Sequence, residues 1–179
     1  FFEREWGGTF KRCENYPQQA VVSTTTHDLP TLAGFWNGRD IHVRRETGRL
    51  PDEQMYVQQL EQRMSDKVMM ADVLAQQGFL SAAQSDAAAK AEFLPSSIRD
   101  AILAFLSSTP AHLVLVHFED LTLSLHQQNV PGTTQEYPNW QQKMAWTVEQ
   151  LWEDEKPLSV AAKVRAILVE TGRAAALDS

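Results

Sequence analysis

The chain has a single cysteine, Cys13, among 179 residues, so it can form no internal disulfide and shows no adaptation to an oxidising compartment. A cytoplasmic location is the expectation. It is also short of positive charge: 16 Lys and Arg stand against 23 Asp and Glu, a formal net charge of −7. That balance argues against nucleic acid and against an anionic membrane surface as partners, since both are bound through a basic face. No apolar run approaches the roughly 18 residues of a membrane span. The histidines, at 27, 42, 112, 117 and 126, lack metal-ligand spacing. There is no Gly-rich phosphate loop, no G-x-S-x-G elbow and no Cys–His arrangement. No metal and no cofactor are therefore expected. What remains is an ordinary globular composition, 43% hydrophobic and 22% charged, long enough for one sizeable core.

The most informative stretch is Ala20 to Leu32. Between Ala20 and Thr26 five of seven residues are β-branched, which favours a strand. This strand ends on His27-Asp28, and Pro30 disfavours helix at Leu29, so the backbone must turn before a helix can start. A second strand is expected over residues 112–118, apolar at nearly every position and ending on Glu119-Asp120. Continuous hydrophobicity is the mark of a parallel strand covered on both faces. Two such strands separated by helices predict an α/β fold. Polar groups at strand C-terminal ends are where such folds place their chemistry.

The intervening elements follow from local signals. Trp6-Gly7-Gly8-Thr9 predicts a turn. Leu32 to Trp36 reads as a short helix, with breaks at Gly38 and Gly48, and Arg44, Arg45 and Arg49 read as a solvated face balanced by Glu46 and Asp52. A long helix is expected over 52–77, its apolar stripe formed by Val57, Leu60, Met64, Val68 and Ala71. Its methionines read as core filler. Ser81 and Gln84 form a capping-box pattern. Pro95 opens a helix to about Ser107 with Ile98, Ile102, Phe105 and Leu106 inward. Residues 121–138 read as a long irregular segment, of the kind that is either functional or disordered. Helices over 139–152, with Trp140, Met144, Val148 and Leu151 inward, and over 159–171 complete the chain.

Position alone leaves each candidate with two readings. Asp28 is either a functional carboxylate or the N-cap of the helix after Pro30. His27 is a ligand-binding group or a satisfied strand-end histidine. Glu119 and Asp120 repeat the strand-end logic. Asn129-Val130-Pro131-Gly132 also reads simply as a turn. Thr26 reads as packing, and Trp36 as either a stacking residue or a buried aromatic.

Two motifs in order narrow these choices. The segment THDLPTLAGFWNGRDI, residues 26–41, and the later segment Glu119-Asp120-Leu121 with residues 128–140, QNVPGTTQEYPNW, resemble segments of the 4-α-glucanotransferases. These enzymes, also called amylomaltases or disproportionating enzymes, form glycoside hydrolase family 77. With Phe1-Phe2-Glu3-Arg4-Glu5, the resemblance covers most of the chain and is thinnest over residues 78–95. It implies a (β/α)₈ TIM barrel, malto-oligosaccharides and other α-1,4-glucans as substrates, and a retaining mechanism through a covalent glycosyl-enzyme. It assigns Asp28 the role of the third carboxylate, the transition-state stabiliser, and makes His27, Glu119 and Asn129 substrate-binding residues. The family's nucleophile and acid/base have no match here. A barrel takes about 250 residues, and Phe1-Phe2 reads as the tail of a core strand. The expectation is the C-terminal part of one catalytic barrel domain, about strands 6–8 with their helices, across residues 1–179. Such a piece is expected to be inactive alone and to self-associate through its exposed barrel edges. Two other readings stand beside this one: a non-catalytic glucan- or protein-binding module, and a metal-dependent phosphohydrolase using His27-Asp28.

Overall fold

The computed structural model describes residues 3–175; of the strand tail expected over residues 1–3, Phe1 and Phe2 lie outside them and Glu3 is exposed. Two short strands, β1 (Val21–Ser23) and β2 (Leu113–Leu115), pair in parallel with Val21 opposite Leu113 and Ser23 opposite Leu115. The pairing extends backwards, with His112 N–H donating to the Gln18 carbonyl and Leu113 N–H to that of Ala20. Between the strands lie α1 (Leu32–Asn37), α2 (Arg39–Glu46), α3 (Glu53–Gln76), α4 (Ala82–Lys90) and α5 (Ser96–Ser107). After β2 come α6 (Phe118–Leu121), α7 (Val148–Glu153) and α8 (Glu155–Glu170). A parallel pair joined by a helical crossover is the α/β arrangement expected, with far more helix than strand.

Both strands are shorter than their apolar runs. The ladder stops at Ser23 because hydroxyls take over the backbone's partners. Ser23 Oγ donates to the Thr25 carbonyl at 2.6 Å, and Thr25 Oγ1 donates to the Pro30 carbonyl at 2.7 Å. Such local side-chain bonds compete with sheet pairing. The expectation that the strands are covered on both faces is corrected. Val22 is buried among the helices, with Val114 packed against the same core, whereas Val21, Leu113 and Leu115 are 54, 58 and 54% exposed on the other face.

The core lies between this pair and the helices, centred on Leu32, Trp36, Met70, Leu74, Ile102 and Phe105. α5 buries Ile98, Ile102, Phe105 and Leu106 as its periodicity predicts. The capping box of α4 forms as expected, and Asp52 caps α3 by accepting from Met55 N–H at 2.7 Å.

The stripe of α3 is rotated from the expected one. Val57, Met64 and Val68 are exposed, as is Met55, so Met55 and Met64 are not core filler, whereas Ala71 and Met70 are buried as expected and Met69 packs against the core. The inward face instead carries Asp66, Met70, Val73 and Leu74, preceded by Arg63. Arg63 pairs with both oxygens of Asp40, donates to the Phe35 carbonyl and lies over the Phe35 ring at 3.7 Å. Asp66 accepts from Arg4 at 2.8 Å and from Gln62 at 2.9 Å. Charged residues whose partners sit on neighbouring elements can face inward, and hydropathy periodicity cannot register them.

The basic cluster is organised by other partners than those expected. Arg44 meets Gln59 at 2.7 Å and Asp40 at 3.7 Å, Arg45 pairs with Glu53, and Glu46 pairs with Arg39 at 2.7 Å. α2, for which sequence signals were mixed, forms between Gly38 and Gly48, both at positive φ. The helix expected over 139–152 is reduced to α7, and Trp140, Met144 and Val148 are exposed rather than inward. α8 begins four residues before the expected start, because Pro157 is tolerated in a first helical turn.

Candidate functional site

Beyond β1 the chain passes through buried Thr24 and Thr25 into a tight turn, closed by Leu29 N–H donating to the Thr26 carbonyl at 3.1 Å. His27 and Asp28 stand on this turn with side chains 56 and 47% exposed. The N-cap reading of Asp28 fails. Thr31 caps α1, its hydroxyl accepting from Gly34 N–H at 2.9 Å, and Asp120 accepts from Leu32 N–H at 2.7 Å. The carboxylate of Asp28 is thus left for another use.

Asp120, at the far end of the α6 turn, is 1% exposed. Burial pushes its pKa up, and the Thr24 hydroxyl and Leu32 N–H work against that rise. Buried and engaged by α1, it ties the two strand ends together and is closed to substrate. The Thr31 hydroxyl adds a second tie by donating to the Ser124 carbonyl at 2.5 Å. Gly34 makes this approach possible: a Cβ there would meet the Leu125 carbonyl oxygen at 2.7 Å.

The loop over residues 127–140 is laid across the turn and fastened by its own side chains. The Tyr137 hydroxyl donates to the Gln127 carbonyl at 2.8 Å, and Gln127 Nε2 donates to the Asn129 carbonyl at 2.7 Å. Asn139 Oδ1 accepts from Val130 N–H at 2.8 Å, while its Nδ2 donates to Thr133 Oγ1 at 2.8 Å. Spent in this way, Asn139 does not start a helix.

The loop delivers Asn129 to Asp28. Asn129 Nδ2 donates to Asp28 Oδ1 at 2.6 Å, and Asn129 N–H donates to the His27 carbonyl at 3.1 Å. His27 Nε2 lies 3.5 Å from Asp28 Oδ2. Glu119 joins through Gln128, whose Nε2 donates to Glu119 Oε1 at 2.7 Å. The four residues singled out from sequence therefore share one face, Glu119 through one intermediary. Trp36 is buried, its Nε1 donating to the Ala91 carbonyl at 3.1 Å, so of its two readings the buried one holds. Thr26 is exposed and does not pack.

Trp140 was missed, because periodicity placed it on a buried helix face. Its N–H donates to the Gln128 carbonyl at 2.8 Å, and its ring lies 5.2 Å from that of His27 at 41°. The signal was available in Tyr137-Pro138-Asn139, a turn-forming run that argues against a helix through Trp140.

Beside Asp28 opens a cavity of about 410 Å³, lined by Leu29, Pro30, Arg44, Arg49 and Val130 among others. That volume is in the range of small-ligand sites. The half-exposed carboxylate of Asp28, the amide of Gln127 and the guanidinium donors of Arg44 and Arg49 line this cleft and can hydrogen-bond a hydroxyl-rich ligand, with His27 and Asn129 adjoining Asp28. Among the described residues no three His, Cys, Asp or Glu side chains are grouped to hold a metal ion. No helix among them is long and apolar enough to cross a membrane.

A family model of 4-alpha-glucanotransferases matches residues 1–148. The chain belongs to the 4-alpha-glucanotransferase family. Among curated relatives, the 4-alpha-glucanotransferase of Haemophilus influenzae is 29% identical over 167 residues, 93% of this chain and 23% of that protein. That of Mycobacterium bovis is 29% identical over 168 residues, covering 89% of this chain and 22% of the relative. Among solved structures, the amylomaltase of Corynebacterium glutamicum superposes with a TM-score of 0.78 at 26% identity, over 91% of this chain and 24% of that one. The chain thus spans just under a quarter of the length of the relatives it matches.

Proposed function

We propose that this chain is the C-terminal part of the (β/α)₈ barrel of a 4-α-glucanotransferase and supplies the Asp28 side of its active site. The observation that carries the reading is Asp28 itself, a strand-end carboxylate relieved of capping by Thr31 and Asp120 and oriented by Asn129 at 2.6 Å. The open face of β1 and β2 supports the barrel assignment, because residues pointing into a barrel interior meet side chains from the remaining strands.

In this reading the substrates are α-1,4-glucans. A carboxylate outside this chain attacks the anomeric carbon as a second group protonates the departing glycosidic oxygen. The glycosyl-enzyme is then opened by the 4-hydroxyl of another glucan, whose proton passes to the same acid/base, so configuration is retained. Asp28 bonds covalently to nothing. It accepts hydrogen bonds from hydroxyls of the reacting ring, and its charge stabilises the positive charge that builds up as the ring flattens. His27 and Asn129 fix those hydroxyls and the position of the carboxylate, and Glu119, through Gln128, contacts the glucan at the rim.

Alone, the chain lacks the nucleophile and the acid/base and is inactive. Incubation with maltotriose tests the proposal. A longer polypeptide containing this chain should produce glucose and longer oligosaccharides, whereas saturable glucan binding with no such products would favour the non-catalytic module.

A further inference from the structure

Trp140 sits at φ 61°, in the left-handed region that a bulky side chain rarely adopts. The loop enforces this conformation: the residue's own N–H is held by the Gln128 carbonyl, and Asn139 immediately before it bonds to Val130 and Thr133. Strain of this kind persists where the surroundings over-determine it, and it concentrates at functional positions. The indole returns little for it in packing, since Trp140 is 63% exposed. Tyr137 of the same loop is 6% exposed and bonded through its hydroxyl, so the loop's packing aromatic is Tyr137.

What the conformation does achieve is placement. The indole is tilted against His27 at 5.2 Å, and His27 adjoins Asp28 and, through its carbonyl, Asn129. A glucose ring has a polar edge of hydroxyls and a flatter face of C–H groups. Asp28, Asn129 and His27 are suited to the edge, and an exposed indole is suited to the face. We propose that Trp140 is a specificity-determining residue, an aromatic platform for a pyranose ring of the α-1,4-glucan bound beside Asp28. This rests on the glucanotransferase reading given above.

The test uses Trp140→Gly and Trp140→Phe in the longer polypeptide, with kinetics on maltotriose, calorimetric binding of maltotriose and thermal melting. Glycine is at ease at φ 61°, so Trp140→Gly removes the indole and the strain together. The expected result is a KM and a dissociation constant raised about ten-fold, the scale of one aromatic contact, with Tm unchanged or higher. Trp140→Phe should recover most of the lost affinity. A merely structural tryptophan predicts the reverse, a lowered Tm with affinity intact, and that result overturns the platform. Transfer activity in the unmutated polypeptide is read separately. Its absence would refute the glucanotransferase reading, while the calorimetric comparison would still decide for or against the platform, with failure of the unmutated polypeptide to bind maltotriose counting against it.

Discussion

Replacing Asp28 by Asn changes charge and almost nothing else. The amide keeps the shape of the side chain and an oxygen at Oδ1 to accept from Asn129 Nδ2, now 2.6 Å away. The helix that follows does not depend on the carboxylate, because Thr31 and Asp120 serve its first turn. The charge-assisted part of the Asn129 bond is lost at a side chain 47% open to solvent, where screening holds its worth below about 1 kcal/mol. That corresponds to a Tm change of less than about 4 °C for a chain of 150–250 residues, and to less in the longer polypeptide. Catalysis should respond far more strongly. A preorganised charged or hydrogen-bonding group aimed at developing charge is worth roughly 2.7–4 kcal/mol, or about 10²–10³ in rate. The loss should fall on kcat, since the interaction tightens as the ring approaches the transition state. The assay is steady-state disproportionation of maltotriose by the longer polypeptide, with a melting curve on the same preparation. Near-normal kcat would refute the reasoning, and a large fall in Tm with kcat preserved would return Asp28 to a structural role.

Two further perturbations probe the frame around the site. Asp120→Asn keeps an acceptor for Leu32 N–H and removes a buried charge, so it should hold or raise stability at neutral pH, whereas Asp120→Leu strands that N–H and should cost about 1–3 kcal/mol. Because burial raises the Asp120 pKa, the folded state holds this proton more tightly than the unfolded one; the group's contribution falls as pH rises above about 4 and levels off past its folded pKa. Melting curves from pH 4 to 8 should therefore show the advantage of Asp120→Asn growing with pH, and a pH-independent difference would contradict the assignment. The open face of β1 and β2 should make the isolated chain associate at micromolar concentration and bind a hydrophobic dye. Leu113→Lys with Leu115→Lys should reduce both, as read by light scattering and dye fluorescence.

Where sequence reasoning succeeded, the signal was local. The α5 stripe, the Ser81–Gln84 box, the breaks at Gly38 and Gly48 and the turn before Pro30 all depend on residues within a few positions of one another. Two motifs drew attention to His27, Asp28, Glu119 and Asn129, and the parallel pairing of β1 with β2 explains how residues 101 positions apart, Asp28 and Asn129, come into contact. The failures arose where distant partners decide. The inward face of α3 admits Arg63 and Asp66 because Asp40 and Arg4 meet them there. The exposed Val21, Leu113 and Leu115 have the hydropathy of core residues, and only the fold shows that they stand open among the described residues. Asn139 has the composition of a helix cap, but Val130 and Thr133 claim its side chain, and Trp140 is turned outward as a result.

In the proposed assignment, Asp28 and its neighbours complete an active site whose nucleophile and acid/base lie outside this chain. Its most direct test is the product ladder from maltotriose, separated by chromatography, for the 179-residue chain alone and for a longer polypeptide of its relatives' length that contains it. The chain alone should leave the maltotriose peak unchanged. The longer polypeptide should yield glucose together with oligosaccharides longer than the substrate. Turnover by the isolated chain, or a longer polypeptide that binds maltotriose and never redistributes it, would contradict the account.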